Sequence, residues 1–163
     1  MAEIKQHDDG SASWFTSTDA RHSGRHGGPS TGSNTAPKYR VPQTAIFSFT
    51  GTTSTSAGGV FTWRPDDQGA AHYVQHFGLD ITTKSTGAAA LDVGVGATAT
   101  TSSDTLLDGV DVATAAGAFD NFENAGTNGG SFRKLAAGSY VTATGSASTA
   151  GLVGTVHVTY WPA

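Results

Sequence analysis

The chain contains no cysteine, which excludes a disulfide framework and any thiolate metal site. Lys and Arg number 9 in 163 residues against 13 Asp and Glu. They form no cluster, so the composition argues against a protein that holds nucleic acid by neutralising phosphates. No apolar run approaches the roughly 20 residues that cross a bilayer. The start, Met-Ala-Glu-Ile-Lys-Gln-His-Asp-Asp-Gly, lacks the basic, apolar and small-residue succession of a secretory signal. The reading is a soluble protein made in a cytoplasm, with no membrane partner and no direct nucleic-acid binding.

Charged residues are also scarce. Hydrophobic residues make up 37% and charged residues 13%, while Gly alone contributes 22 residues. Abundant Thr, Ser, Val, Gly and Ala belong to short strands and tight turns. The expected fold is therefore all-β: a single β-sandwich or jelly roll of about seven or eight strands, preceded by an extended N-terminal arm. No fixed-period repeat points to a solenoid or propeller.

The arm runs over residues 1–42 and the sandwich body over 43–163. Gly, Ser, Thr, His and Asp dominate the arm, and it has too little apolar surface to offset backbone ordering of roughly 1 to 2 kcal/mol per residue. Trp14 and Phe15 are its exceptions, with Tyr39 near the junction. An aromatic pair in a polar arm suits a plug for a pocket, worth about 1.5 to 3 kcal/mol per buried side chain. Lys5, Arg21, Arg25, Lys38 and Arg40 face Glu3, Asp8, Asp9 and Asp19 there, whereas the rest of the chain holds Arg64, Lys84, Arg133 and Lys134 against nine acids. A mildly basic arm on an acidic body is suited to reach another acidic surface, over at most about 140 Å at roughly 3.3 Å per residue. Trp14, Phe15, Arg21, Arg25, Tyr39 and Arg40 are the candidate contact residues.

In the body, Ala45 to Thr50 and Val60 to Trp63 read as strands separated by a polar loop, and Arg64 to Gly69 as a turn. Ala71 to Thr83 reads as a long strand with Phe77, Leu79 and Ile81 on one face and His76, Asp80 and Thr82 on the other. Leu91, Val93 and Val95 point inward along another strand. Asp104 to Gly117 has the spacing of a short helical turn or of a loop over the open end of a sandwich. Asn121 to Gly130 is a polar loop, and Phe132 to Leu135 a short strand. Gly138 to Pro162 carries the clearest β signal and reads as a closing hairpin: Leu152, Gly154, Val156, Val158 and Tyr160 form an inward row against Val153, Thr155, His157, Thr159 and Trp161.

Leu91-Asp92-Val93-Gly94, Leu106-Leu107-Asp108-Gly109-Val110-Asp111-Val112-Ala113-Thr114-Ala115-Ala116-Gly117, Gly138 to Thr144 and Ala150 to Tyr160 together resemble the small jelly-roll or β-sandwich head decoration (cement) proteins of tailed bacteriophages. The resemblance covers Val74 to Ala163; the arm and Ala45 to Gln68 lie outside it. It implies a virion structural protein, synthesised in the host cytoplasm, on the outer capsid surface. There it would be a homo-oligomer, commonly a trimer, that binds the major capsid protein and cements neighbouring subunits. Two alternatives stand beside it: a carbohydrate- or receptor-binding tail-fibre module presenting Trp63 or Trp161, and the coat subunit of a small jelly-roll virus.

Residues with chemical potential do not assemble into a motif. His22 and His26 lie in a Gly-rich stretch that fixes no common face. His72 and His76 share a strand face with Asp80 on the period-two reading, but are spaced too widely for one ion. Asp104, Asp108 and Asp111 lack the ligand alternation and closing Glu of a calcium loop. Ser131-Phe132-Arg133-Lys134 lacks the partner motifs of the penicillin-recognising enzymes. The expectation is no enzyme, no metal and no cofactor.

Overall fold

A computed structural model describes residues 41–114 and 116–163 of the chain. Nine strands and no helix fill that span: β1 (Gln43–Thr50), β2 (Phe61–Trp63), β3 (His72–Thr83), β4 (Ala90–Gly96), β5 (Leu107–Asp111), β6 (Gly117–Asp120), β7 (Arg133–Leu135), β8 (Tyr140–Gly145) and β9 (Val153–Pro162). They form two antiparallel sheets. One runs β1-β9-β3-β6 with β7 also on β3, and the other runs β2-β8-β4-β5. The all-β sandwich expected from composition is the observed fold.

The inward rows meet between the sheets. Phe77, Leu79 and Ile81 of β3, Val156 and Val158 of β9, Leu91 and Val93 of β4 and Val141 of β8 are all buried. Val95 is half-buried and packs against the same core. Strand β2 is only three residues long, yet Phe61 clasps the layers. Its ring lies 5.1 Å from Phe49, 5.7 Å from Phe47 and 6.3 Å from Phe77, all three in the opposite sheet.

Three readings of the sequence are corrected. The closing hairpin does not exist: β8 pairs with β2 and β4, and β9 with β1 and β3. The connection from Ser146 to Leu152 carries the chain from one sheet to the other, with Gly151 in the left-handed region (φ 83°) that suits glycine. Both strands direct an inward row at the same core, so their alternation is that of facing strands as much as of paired ones. Pairing is not encoded in it.

The Asp104 to Gly117 stretch holds no helical turn but a strand, β5 over Leu107–Asp111, with irregular chain among the described residues on either side up to the start of β6 at Gly117. Leu107 and Val110 are three residues apart, a spacing that mimics a helix, and both are buried. A bulge produces this. Leu91 pairs with Val110 and Val93 with Leu107, so β5 spends one more residue than β4 over the same length. Gly109 supplies the positive φ (71°) that such a bulge needs. The Asp92 carboxylate fixes it by accepting the Gly109 N–H at 2.9 Å.

His72 and His76 do not share a face. A register shift between Val74 and His76 inserts Gln75 as an extra residue against β9. His72 and Val74 therefore point inward with Phe77, while His76 points out. His72 is buried against the Tyr160 ring, 5.5 Å away.

Candidate functional site: the outer face of the five-stranded sheet

The bulge at Gln75 decides what this face displays. Beyond it, β3 presents His76, Gly78, Asp80 and Thr82 outward, beside Thr159, His157 and Thr155 of β9. Strand β1 adds Thr44, Ile46 and Ser48, with Ile46 directly opposite His157. At the other end of β3, Tyr73 lies between Trp161 and Lys134 in one transverse row. Ile46 is 62% exposed although it is a large aliphatic residue in a regular strand.

Two aromatic groups stand over this face. Phe122 emerges from the loop after β6 and stacks on the His76 imidazole, with ring centres 5.4 Å apart and planes 19° from parallel. The Asp120 carboxylate anchors that loop by accepting the N–H groups of Glu123 at 2.7 Å and Phe122 at 2.8 Å. The Glu123 N–H is the largest cause of a lowered Asp120 pKa, followed by that of Phe122. At the other end, Phe132 lies with its ring 5.8 Å from Trp161 and is 51% exposed. Its φ of 56° is the one positive value among the described non-glycine residues. A bulky side chain adopts that region at a cost of roughly 1 to 2 kcal/mol. The surrounding backbone is held by Arg133, whose side chain donates to the Thr105 carbonyl at 2.9 Å and the Asn128 carbonyl at 3.2 Å.

Past His76 along β3 lies Gly78, opposite His157 of β9. A Cβ there would sit 3.5 Å from the His76 ring and 3.9 Å from His157, so the missing side chain leaves a shallow notch between the two histidines. The face combines Thr and Ser hydroxyls, two imidazoles and four aromatic rings with few formal charges. Aromatic anchors framed by uncharged polar groups are of the kind that protein contacts use.

A second feature is a cleft of about 440 Å³ on the open side of the sandwich between β1 and β2, lined by Ala45, Phe47, Trp63 and Tyr160 among others. Trp63 packs edge-on to Tyr160 at 5.1 Å. Burial, and secondarily Asp66, push the Tyr160 phenol pKa upward.

The six contact residues expected in the arm, Trp14, Phe15, Arg21, Arg25, Tyr39 and Arg40, lie outside the described residues. Of the tail-fibre platform residues, Trp63 is half-buried in the cleft and Trp161 half-buried beneath Phe132. The aspartates first considered for calcium part company. Asp104 and Asp108 both accept from the Asn128 amide, at 2.9 and 3.0 Å, whereas Asp111 caps the turn after β5 by accepting from Ala113 and Thr114. Sequence reasoning missed Ile46, Phe122 and Phe132. The available signal was an aromatic residue inside or beside an otherwise polar loop.

Fold and face define a two-sheet, all-antiparallel sandwich with an aromatic-framed outer face. No protein-family model, curated protein or solved structure matches the chain.

Proposed function

We propose that this chain is a virion structural protein that binds the outer surface of an assembled phage capsid and cements neighbouring major capsid subunits. The observation that carries the reading is the outer face of the five-stranded sheet, where Ile46, Phe122, Phe132 and Trp161 surround hydroxyl-bearing strands. Such a face supplies the desolvated anchors on which protein contacts concentrate their energy. The arm, with Trp14 and Phe15, provides a second attachment to the same shell. Linking two weak attachments makes the second intramolecular and raises avidity without stronger individual contacts. Bridging two capsid subunits in this way raises the free energy needed to part them against internal pressure. The work is mechanical, with no catalytic step.

The test is co-sedimentation with purified phage heads that lack this protein. The full chain binds; deletion of residues 1–42 and the double substitution Phe122→Ala with Phe132→Ala each weaken binding by about tenfold or more, equivalent to about 1.4 kcal/mol. Failure of the full chain to bind heads would sink the proposal.

A second reading, a glycan-binding module, is favoured by one observation: the Phe132 ring is held over Trp161 in a backbone conformation that a bulky residue adopts only at a cost. Strained, exposed aromatic residues mark ligand clamps. Saturable binding on a glycan array, abolished by Phe132→Ala, selects that reading over the first.

A further inference from the structure

An open sheet has edges whose unpaired N–H and C=O groups invite another strand, and proteins ordinarily blunt them by brevity, charge or bulges. Among the described residues, every sheet edge but one is blunted in this way. Strand β2 has three residues. Strand β5 has five, with Asp108, Asp111 and the Gly109 bulge. Strand β6 has four and ends in Asp120, and β7 has three, with Arg133 and Lys134.

Strand β1 has none of these protections. It runs eight residues, Gln43-Thr44-Ala45-Ile46-Phe47-Ser48-Phe49-Thr50, with no charge, proline or glycine. Its register with β9 is unbroken over eight pairs. Among the described residues it pairs on one side only. Alternate residues direct both backbone groups away from β9, so half the strand offers donors and acceptors in the order a partner strand requires.

We propose that β1 is a self-pairing edge, through which two copies of this chain join by antiparallel β1–β1 contact about a two-fold axis. A second copy fits for three reasons. An isologous contact sets a strand against its own sequence, and an uncharged strand faces itself in any register without like-charge repulsion. The outward row of Thr44, Ile46 and Ser48 continues across the join, placing the exposed Ile46 side chains of both copies on one face. The inward row, Ala45 and Phe47, lines the cleft with Trp63 and Tyr160, and the partner's matching row covers its open side.

Charge gives the pairing a signature. The chain from 41 to 163 holds four Lys and Arg against nine Asp and Glu, so two copies carry a net repulsion to which the uncharged β1 adds nothing. Salt screens that repulsion. Self-pairing therefore tightens as salt rises, whereas capture of a basic segment, from this chain's arm or another protein, weakens.

The experiment is sedimentation equilibrium of the full chain between about 0.05 M and about 0.5 M salt, a range over which the screening length falls from well above to well below 10 Å. The expected result is a monomer–dimer equilibrium whose dissociation constant falls several-fold with added salt. Ile46→Lys, on an exposed side chain, weakens the dimer about tenfold or more, while Ala118→Lys, exposed on β6 at the opposite edge of the same sheet, leaves it unchanged. Amide exchange on the same samples must show that protection of the β1 amides directed away from β9 rises with protein concentration. A monomer at all concentrations, a trimer, a dimer indifferent to Ile46→Lys, or protection in the monomer of those outward-directed β1 amides each overturn the proposal.

Discussion

Asn121 and Phe77 exchange hydrogen bonds as two paired strands do. The Phe77 N–H donates to the Asn121 Oδ1 at 2.9 Å, and the Asn121 N–H donates to the Phe77 carbonyl at 3.1 Å. The same side-chain amide donates through Nδ2 to the carbonyls of Gln75 at 3.3 Å and Gly130 at 3.1 Å. Asn121 thus completes the ladder on β3 between its pairings with β6 and β7, beside the bulge that turns His76 outward.

Asn121→Ala strands the Phe77 N–H and two carbonyls in a buried setting. An unsatisfied buried group costs about 1 to 3 kcal/mol, so the urea midpoint falls accordingly with the slope unchanged. A variant as stable as the parent would show that the amide does not brace the bulge.

Gly154→Ala tests a close approach within the core. A Cβ at Gly154 would lie 2.7 Å from the Asp80 carbonyl oxygen and 2.9 Å from the Phe49 ring. The Asp80 contact is backbone in the paired strand and does not yield easily. Overpacking of this kind costs about 1 to 3 kcal/mol, read as a lowered melting temperature by calorimetry.

Phe132→Gly separates stability from recognition. Glycine relieves the left-handed strain at φ 56° but loses the Trp161 contact and adds freedom to the unfolded chain. These terms are each about 1 kcal/mol, so the variant stays within about 1 kcal/mol of the parent in denaturant titration. Head binding nevertheless drops. Equal loss of stability and binding would make Phe132 a packing residue only.

Asp111 and Asp120 set the acid response. The Thr114 hydroxyl, then the N–H groups of Ala113 and Thr114, lower the Asp111 pKa; the N–H groups of Glu123 and Phe122 lower that of Asp120. A carboxyl with a depressed folded pKa contributes stability that is present above its unfolded value near 4 and is lost as pH falls through the folded value. The thermal stability of the parent therefore declines below about pH 4, and the double substitution Asp111→Asn with Asp120→Asn reduces that dependence. Identical pH profiles would refute the assignment.

The sequence alone determined the all-β class, the inward rows of β3 and β9, and the division of many strand residues into core and surface. Those features follow from alternation and composition, which are local. Tertiary structure decided the rest: that β8 and β9 lie in opposite sheets, that a Gly109 bulge makes a strand of a helix-like spacing, and that Gln75 sends His72 and His76 to opposite faces. A strand's alternation says which side chains are buried but not which backbone lies beside it, and one extra residue reverses every side chain beyond it. Tyr73 and His76 share the outer face only because of such a reversal. That face became visible only when the braced bulge, the strained Phe132 and the unprotected β1 edge were in place together.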